Sequence, residues 1–304
     1  MARSRILIIV GVELAILAGL AVWLVELDAN GPRRVDARLA DGRAAILYLP
    51  RPAQSPSATA SAQAQKRLPV AILVSGLGVG PSTMGSLGRR LAHNGYASLA
   101  IGIPMAHFAS AGNEVYEDIA AAVDYARASK LVDGSRAVLI GHSAGAGAVT
   151  VYAARDHAIG GVILISGGCY LNAGDRLRDV LFVFTSRDPE GFRNSCSELV
   201  KRLGGAEHPR WTEVYGDFHS GTAVSEVQID GESHVSIISS ERTASYVVGW
   251  LDRIFEIKRT DPPDLSDPEG FVVDLALASI LIVLLPLYYS WLRRGRGVKR
   301  GRTA

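Results

Sequence analysis

The sequence predicts an α/β protein in which a doubly wound, mostly parallel sheet is carried between two apolar helices near the chain ends. Three observations lead there. Short apolar runs alternate with segments of helical periodicity, glycine-rich turns follow several of those runs, and two apolar stretches of about 22 residues flank the whole. With 304 residues, 48% of them hydrophobic and only 20% charged, the chain is too apolar for general disorder.

The stretches Ile6 to Leu27 and Phe271 to Leu292 are each long enough to span a bilayer core at about 1.5 Å per helical residue. Arg3 and Arg5 precede the first, and Arg293, Arg294, Arg296, Lys299, Arg300 and Arg302 follow the second. The positive-inside rule therefore puts residues 1–5 and 293–304 in the cytoplasm and residues 28–270 outside it, in the periplasm of a Gram-negative cell. A composition rich in Ala, Arg and Gly hints at a bacterial source. A cleaved signal peptide is the alternative for the first stretch, but its apolar run exceeds a signal core and no small-x-small site follows. Eight of the 32 basic residues and three of the 30 acidic ones lie outside 28–270, so this middle segment carries about −3. Without a basic block, nucleic acid is not an expected partner. Glu13, inside the first stretch, receives no role.

Past Asn30-Gly31-Pro32, the runs Val35 to Leu39 and Ala44 to Leu49 flank Asp41-Gly42, which signals an opening hairpin. Residues 50–67 are rich in Ala, Ser, Gln and Pro and lack apolar periodicity, the pattern of a flexible loop. Val70 to Val74 is a core strand ending in Ser75-Gly76-Leu77-Gly78. A helix over Ser82 to Asn94, a strand over Ala97 to Ile101 and a helix over Glu114 to Ser129 follow. Strands are expected again at Val138, at Gly161 to Ile165 and at Val180 to Thr185. A helix over Asn194 to Leu203, a last strand near Trp211 to Tyr215 and a final amphipathic helix over Glu241 to Ile257 complete the domain.

The segment Ala137 to Val149 combines a buried strand, the turn Gly141-His142-Ser143-Ala144-Gly145 and a helix start. A serine hydroxyl is a weak nucleophile, and such a turn exposes it to a histidine base and to substrate together. The Gly-x-Ser-x-Gly spacing is common by itself, so its weight comes from the strand before it and the helix after it.

On this turn, on the glycine-rich turn after the Val70 strand, and on acid and histidine candidates following the serine in chain order, residues 34–257 resemble the α/β-hydrolase superfamily. The resemblance implies Ser143 as nucleophile, with backbone amides of Leu77 and Ala144 as the oxyanion hole. It implies His234, in Gly231-Glu232-Ser233-His234, as base; this stretch is similar to the Gly-Glu-x-His of siderophore and related esterases. His219 is the competing base. The superfamily's acid position matches Asp188, with Glu190 and Asp217 as alternatives. His142 lies in the turn itself and is expected to point away from the serine, while His93, His107, His157 and His208 read as helix-end or loop residues. The short connection after the Ile163 strand implies a compact member with little or no lid.

No metal or other cofactor is expected, because the histidines lack a His-x-x-x-His pattern and Cys169 and Cys196 stand far apart. The two cysteines follow adjacent strands and either pair or remain buried thiols. Gly76-Leu77-Gly78-Val79-Gly80 fails the dinucleotide spacing. The function expected is a membrane-anchored serine hydrolase acting on a small or lipid-like carboxylic ester. An acyltransferase, thioesterase or peptidase on the same fold is the nearest alternative, and a catalytically silent binding ectodomain the alternative from another class.

Overall fold

The computed structural model describes residues 2–51, 67–109, 113–169 and 176–300. Most of the loop expected at 50–67 and the last four residues of the basic tail lie outside these. The chain divides into two compact units, one formed by the terminal helices and the other by Pro32–Ser266.

In the first unit, α1 (Ala2–Asn30) and α8 (Pro268–Arg300) contact one another. Each contains a segment long and apolar enough to cross a membrane, Ile9–Asn30 and Pro268–Pro286.

In the second unit the strands are β1 (Arg33–Arg38), β2 (Ala44–Leu49), β3 (Leu68–Val74), β4 (Ala97–Ile101), β5 (Val132–His142), β6 (Gly161–Ile165), β7 (Val180–Thr185) and β8 (Val224–Ile229). Among the described residues they form one sheet in the order β1-β2-β4-β3-β5-β6-β7-β8. The β1–β2 hairpin turns at Asp41-Gly42, where Gly42 has φ +84°, and pairs antiparallel with β4; every pairing from β4 through β3 to β8 is parallel. A parallel sheet needs both faces covered, and alternate side chains of one strand serve the two faces. Val70, Ile72 and Val74 of β3 pack with α4 (Glu114–Ala128), α5 (Ala144–Ala153) and α6 (Glu190–Gly204), while Ala71 and Leu73 pack with α2 (Gly85–His93) and α7 (Glu241–Ile254). A short helix, α3 (Met105–Ala109), precedes α4. This architecture is consistent with the α/β-hydrolase expectation.

The last strand departs from the sequence reading. Trp211 to Tyr215 has the aromatic and β-branched look of a strand, yet Thr212 sits at φ +67° and Trp211 is exposed, and the segment meets β8 through an isolated Tyr215–Val224 bridge and a Thr212 amide bond to Glu226 O at 2.8 Å. β8 was disguised by its polarity. Ser225 and Glu226 are both buried, and Glu226 Oε2 accepts a hydrogen bond from Ser197 Oγ at 2.8 Å. Burial pushes the Glu226 carboxyl above its ordinary pKa, with the Ser197 hydroxyl acting against it.

Register decides what meets at the sheet's carboxyl edge. Val74 pairs with Gly141, His142 with Ile165, Ile165 with Val183, and Thr185 with Ile229. The turns after β3, β5, β6, β7 and β8 therefore leave the sheet side by side.

Candidate active site

β5 delivers Ser143 at φ 56° and ψ −121°, a conformation that L-residues adopt only under constraint. The neighbours supply that constraint. A Cβ on Gly141 would lie 2.4 Å from the Gly145 carbonyl oxygen, and one on Gly145 would lie 2.5 Å from that of Val74. Strand and helix thus approach at a distance only glycine permits. The Ser143 amide donates to Ile165 O at 2.9 Å, which fixes the turn to the end of β6.

His234 occupies the loop between β8 and the short 3₁₀ turn Ser236–Ser239. Its Nδ1 lies 2.8 Å from Asp188 Oδ1 and its Nε2 lies 2.9 Å from Ser143 Oγ. A carboxylate only accepts, so Nδ1 carries the ring proton and Nε2 is free to accept the serine hydroxyl. The loop is braced from within. Ser236 Oγ donates to Glu232 Oε2 at 2.6 Å and accepts from the Ser233 amide at 2.9 Å, and Gly231 turns at φ +91°.

Asp188 follows β7 in a tight turn, its amide donating to Thr185 O at 3.2 Å, and its side chain is fully buried. Oδ2 accepts from Ser166 Oγ at 2.6 Å and from the Thr185 amide at 2.8 Å. Among the described residues no Lys or Arg lies within ion-pair distance of it. The imidazole is therefore the group best placed to balance this carboxylate's charge.

Leu77 and Ala144 line the same cavity as Ser143, and a Cβ on Gly76 would stand 3.2 Å from the serine Cβ. The turn after β3 thus runs beside Ser143. The competing residues lie elsewhere. His219 and Asp217 occupy an exposed turn, where the Ser220 amide donates to Asp217 Oδ2 at 2.8 Å and holds that carboxyl below its ordinary pKa. Glu190 is exposed at the start of α6. His107 pairs with buried Asp118 at 2.8 Å, which also binds Arg43 at 2.6 Å.

Two residues beside the site were not anticipated as part of it. Ser166, in the Gly-rich turn after β6, stands at φ 47° and reaches Asp188. A Ser-Gly-Gly run after an apolar strand was its visible trace. His142, expected to point away from the serine, has its Nε2 2.8 Å from His234 O, so it donates there and holds the His234 backbone. Burial lowers the His142 pKa and keeps the ring neutral, with the His234 carbonyl opposing. Cys169, after β6, and Cys196, in α6, form a disulfide, which resolves the two alternatives the sequence left open.

No family model and no curated protein matches the chain. Among solved structures, Est1E from Butyrivibrio proteoclasticus is similar, at 18% identity over 73% of this chain and 99% of its own, with a TM-score of 0.46.

Proposed function

We propose that the protein is a membrane-anchored serine hydrolase that cleaves a carboxylic ester through Ser143, His234 and Asp188. The observation that carries this reading is the continuous hydrogen-bonded chain from buried Asp188 through both ring nitrogens of His234 to a half-buried serine on a constrained turn. Ser143 Oγ attacks the ester carbonyl carbon as its proton passes to His234 Nε2. The carbonyl electron pair moves onto oxygen, where the Leu77 and Ala144 amides donate to it. Collapse of the adduct breaks the carbon–oxygen ester bond, and the imidazolium returns its proton to the departing alcohol. Water repeats the sequence on the acyl-serine, releasing the acid. Asp188 keeps the productive tautomer and stabilises the imidazolium.

Residues 28–270 form the domain that works outside the cytoplasm, held by α1 and α8 with both chain ends inside. The apolar segments and the terminal arginines support this topology, as does a disulfide, which persists in oxidising compartments.

The test is fluorophosphonate labelling of the full chain in detergent micelles. Labelling of the wild type and its loss in Ser143→Ala and His234→Ala are expected. An unreactive but folded wild type would overturn the reading in favour of a silent binding ectodomain.

A further inference from the structure

The cavity that opens on Ser143, about 570 Å³ in volume, extends along one face of α5. Ala144, Gly147, Ala148 and Val151 supply its floor at helical spacing, Tyr116 and Tyr152 stand beside them with ring centroids 4.7 Å apart, and Arg155 marks its far end. Small residues near the serine leave room, and the packed aromatic pair gives the groove an apolar wall along which a chain can lie.

Arg155 has no carboxylate partner among the described residues. The adjacent Asp156 is already engaged: its Oδ2 accepts from Arg127 Nη2 at 2.8 Å and from the Tyr152 hydroxyl at 3.0 Å. The Arg155 guanidinium instead lies 5.2 Å from the Tyr116 ring centroid. That contact holds the cation at the far end of the cavity, and a guanidinium over a ring face still has its N–H edge to donate.

We propose that the site selects esters whose acyl arm is an apolar chain ending in a carboxylate. Their reacting carbonyl sits at Ser143, their methylenes lie along α5, and their terminal anion meets Arg155. The inference rests on the serine hydrolase reading and adds the substrate class. The acyl arm is assigned to the channel because the leaving group must depart beside His234 Nε2, and His234 is not among the channel's walls, whereas Leu77 and Ala144 are. A monoanion is assigned because a single guanidinium matches one carboxylate bidentately. Arg155 stands twelve positions after Ser143, just past the end of α5, a rise of about 18 Å that its long side chain shortens by about one turn, so the channel holds an arm of roughly 12 Å.

The experiment compares para-nitrophenyl monoesters of succinic, adipic, sebacic and dodecanedioic acids with the butyrate, hexanoate, decanoate and laurate esters, using the full chain in neutral detergent. The expected kcat/KM ratio of carboxylated to plain ester rises with length to about fivefold or more at sebacate, the gain of a partly exposed charge-assisted contact. It falls toward one in Arg155→Gln, drops below one in Arg155→Glu and is partly kept in Arg155→Lys. A ratio near one at every length, or one that Arg155→Gln does not change, overturns the inference while leaving the hydrolase reading intact. In parallel, calorimetry measures sebacic acid monoamide binding to Ser143→Ala with and without Arg155→Gln. Arg155-dependent binding with no turnover of any ester would keep the channel assignment and overturn the hydrolase reading.

Discussion

The two ends of β7 each hold a buried aspartate, and their surroundings give them opposite properties. At the carboxyl end, both oxygens of Asp188 are occupied, by His234 Nδ1, the Ser166 hydroxyl and the Thr185 amide. At the amino end, Asp179 has φ 42°, its Oδ1 accepts from the Ala223 amide at 3.2 Å, and its Oδ2 is buried without a hydrogen-bond partner among the described residues. Burial pushes the Asp179 carboxyl up to about 6, with the Ala223 amide opposing. One strand therefore carries a carboxylate met by three hydrogen-bonding groups and another that its surroundings would rather see neutral. Burial alone does not make a functional acid; the donors around it do.

The largest effect expected to sharpen this contrast is at Asp188. Asp188→Asn should lower kcat/KM by about 10³ to 10⁴, since the amide favours the wrong imidazole tautomer. Asp179→Asn should leave kcat/KM unchanged. Steady-state assays on a para-nitrophenyl ester check both, and a large loss from Asp179→Asn would break the comparison.

Next in size is Ser166→Ala, which leaves Asp188 Oδ2 with the Thr185 amide as its remaining donor. A loss of about tenfold in kcat at unchanged KM is expected, the value of one hydrogen bond to a charged group. An equal fall in thermal stability with kcat preserved would reduce Ser166 to a structural role.

The smallest effect is one of stability. Asp179 binds its proton more tightly in the folded chain than in the unfolded one, where the ordinary value is 3.8. The folded state therefore loses stability as pH rises from about 4 to about 6, and the full penalty stands above that range. Asp179→Asn should raise stability by about 1 kcal/mol at pH 8 and lose that gain near pH 4. Thermal melts at the two pH values read it, and a gain independent of pH would contradict the assignment.

The sequence made the elbow and the strands legible because their signals are local. Val180 to Thr185 and Gly161 to Ile165 are uninterrupted apolar runs, and Gly141 and Gly145 bracket the serine in a spacing with one steric purpose. What stayed hidden depends on pairing across the chain. β8 contains the buried polar residues Ser225 and Glu226, and Glu226 is met there by Ser197 of α6. Ser166 looked like loop chemistry until the parallel register set it beside Asp188, 22 positions away. Arg155 is one arginine among many in the sequence, and only the course of α5 relates it to the serine.

The site's chain connectivity also fixes when it comes into being. The turn that carries Ser143 is built from β5 and tied to β6, yet His234 lies 91 residues further on and 46 residues beyond Asp188. Synthesis delivers those segments in order, and the His234 loop follows β8, which pairs with β7. Ser143 therefore gains its histidine partner only after β8 has docked on β7. On the proposed reading, an activated serine exists only once the final strand closes the edge of the sheet.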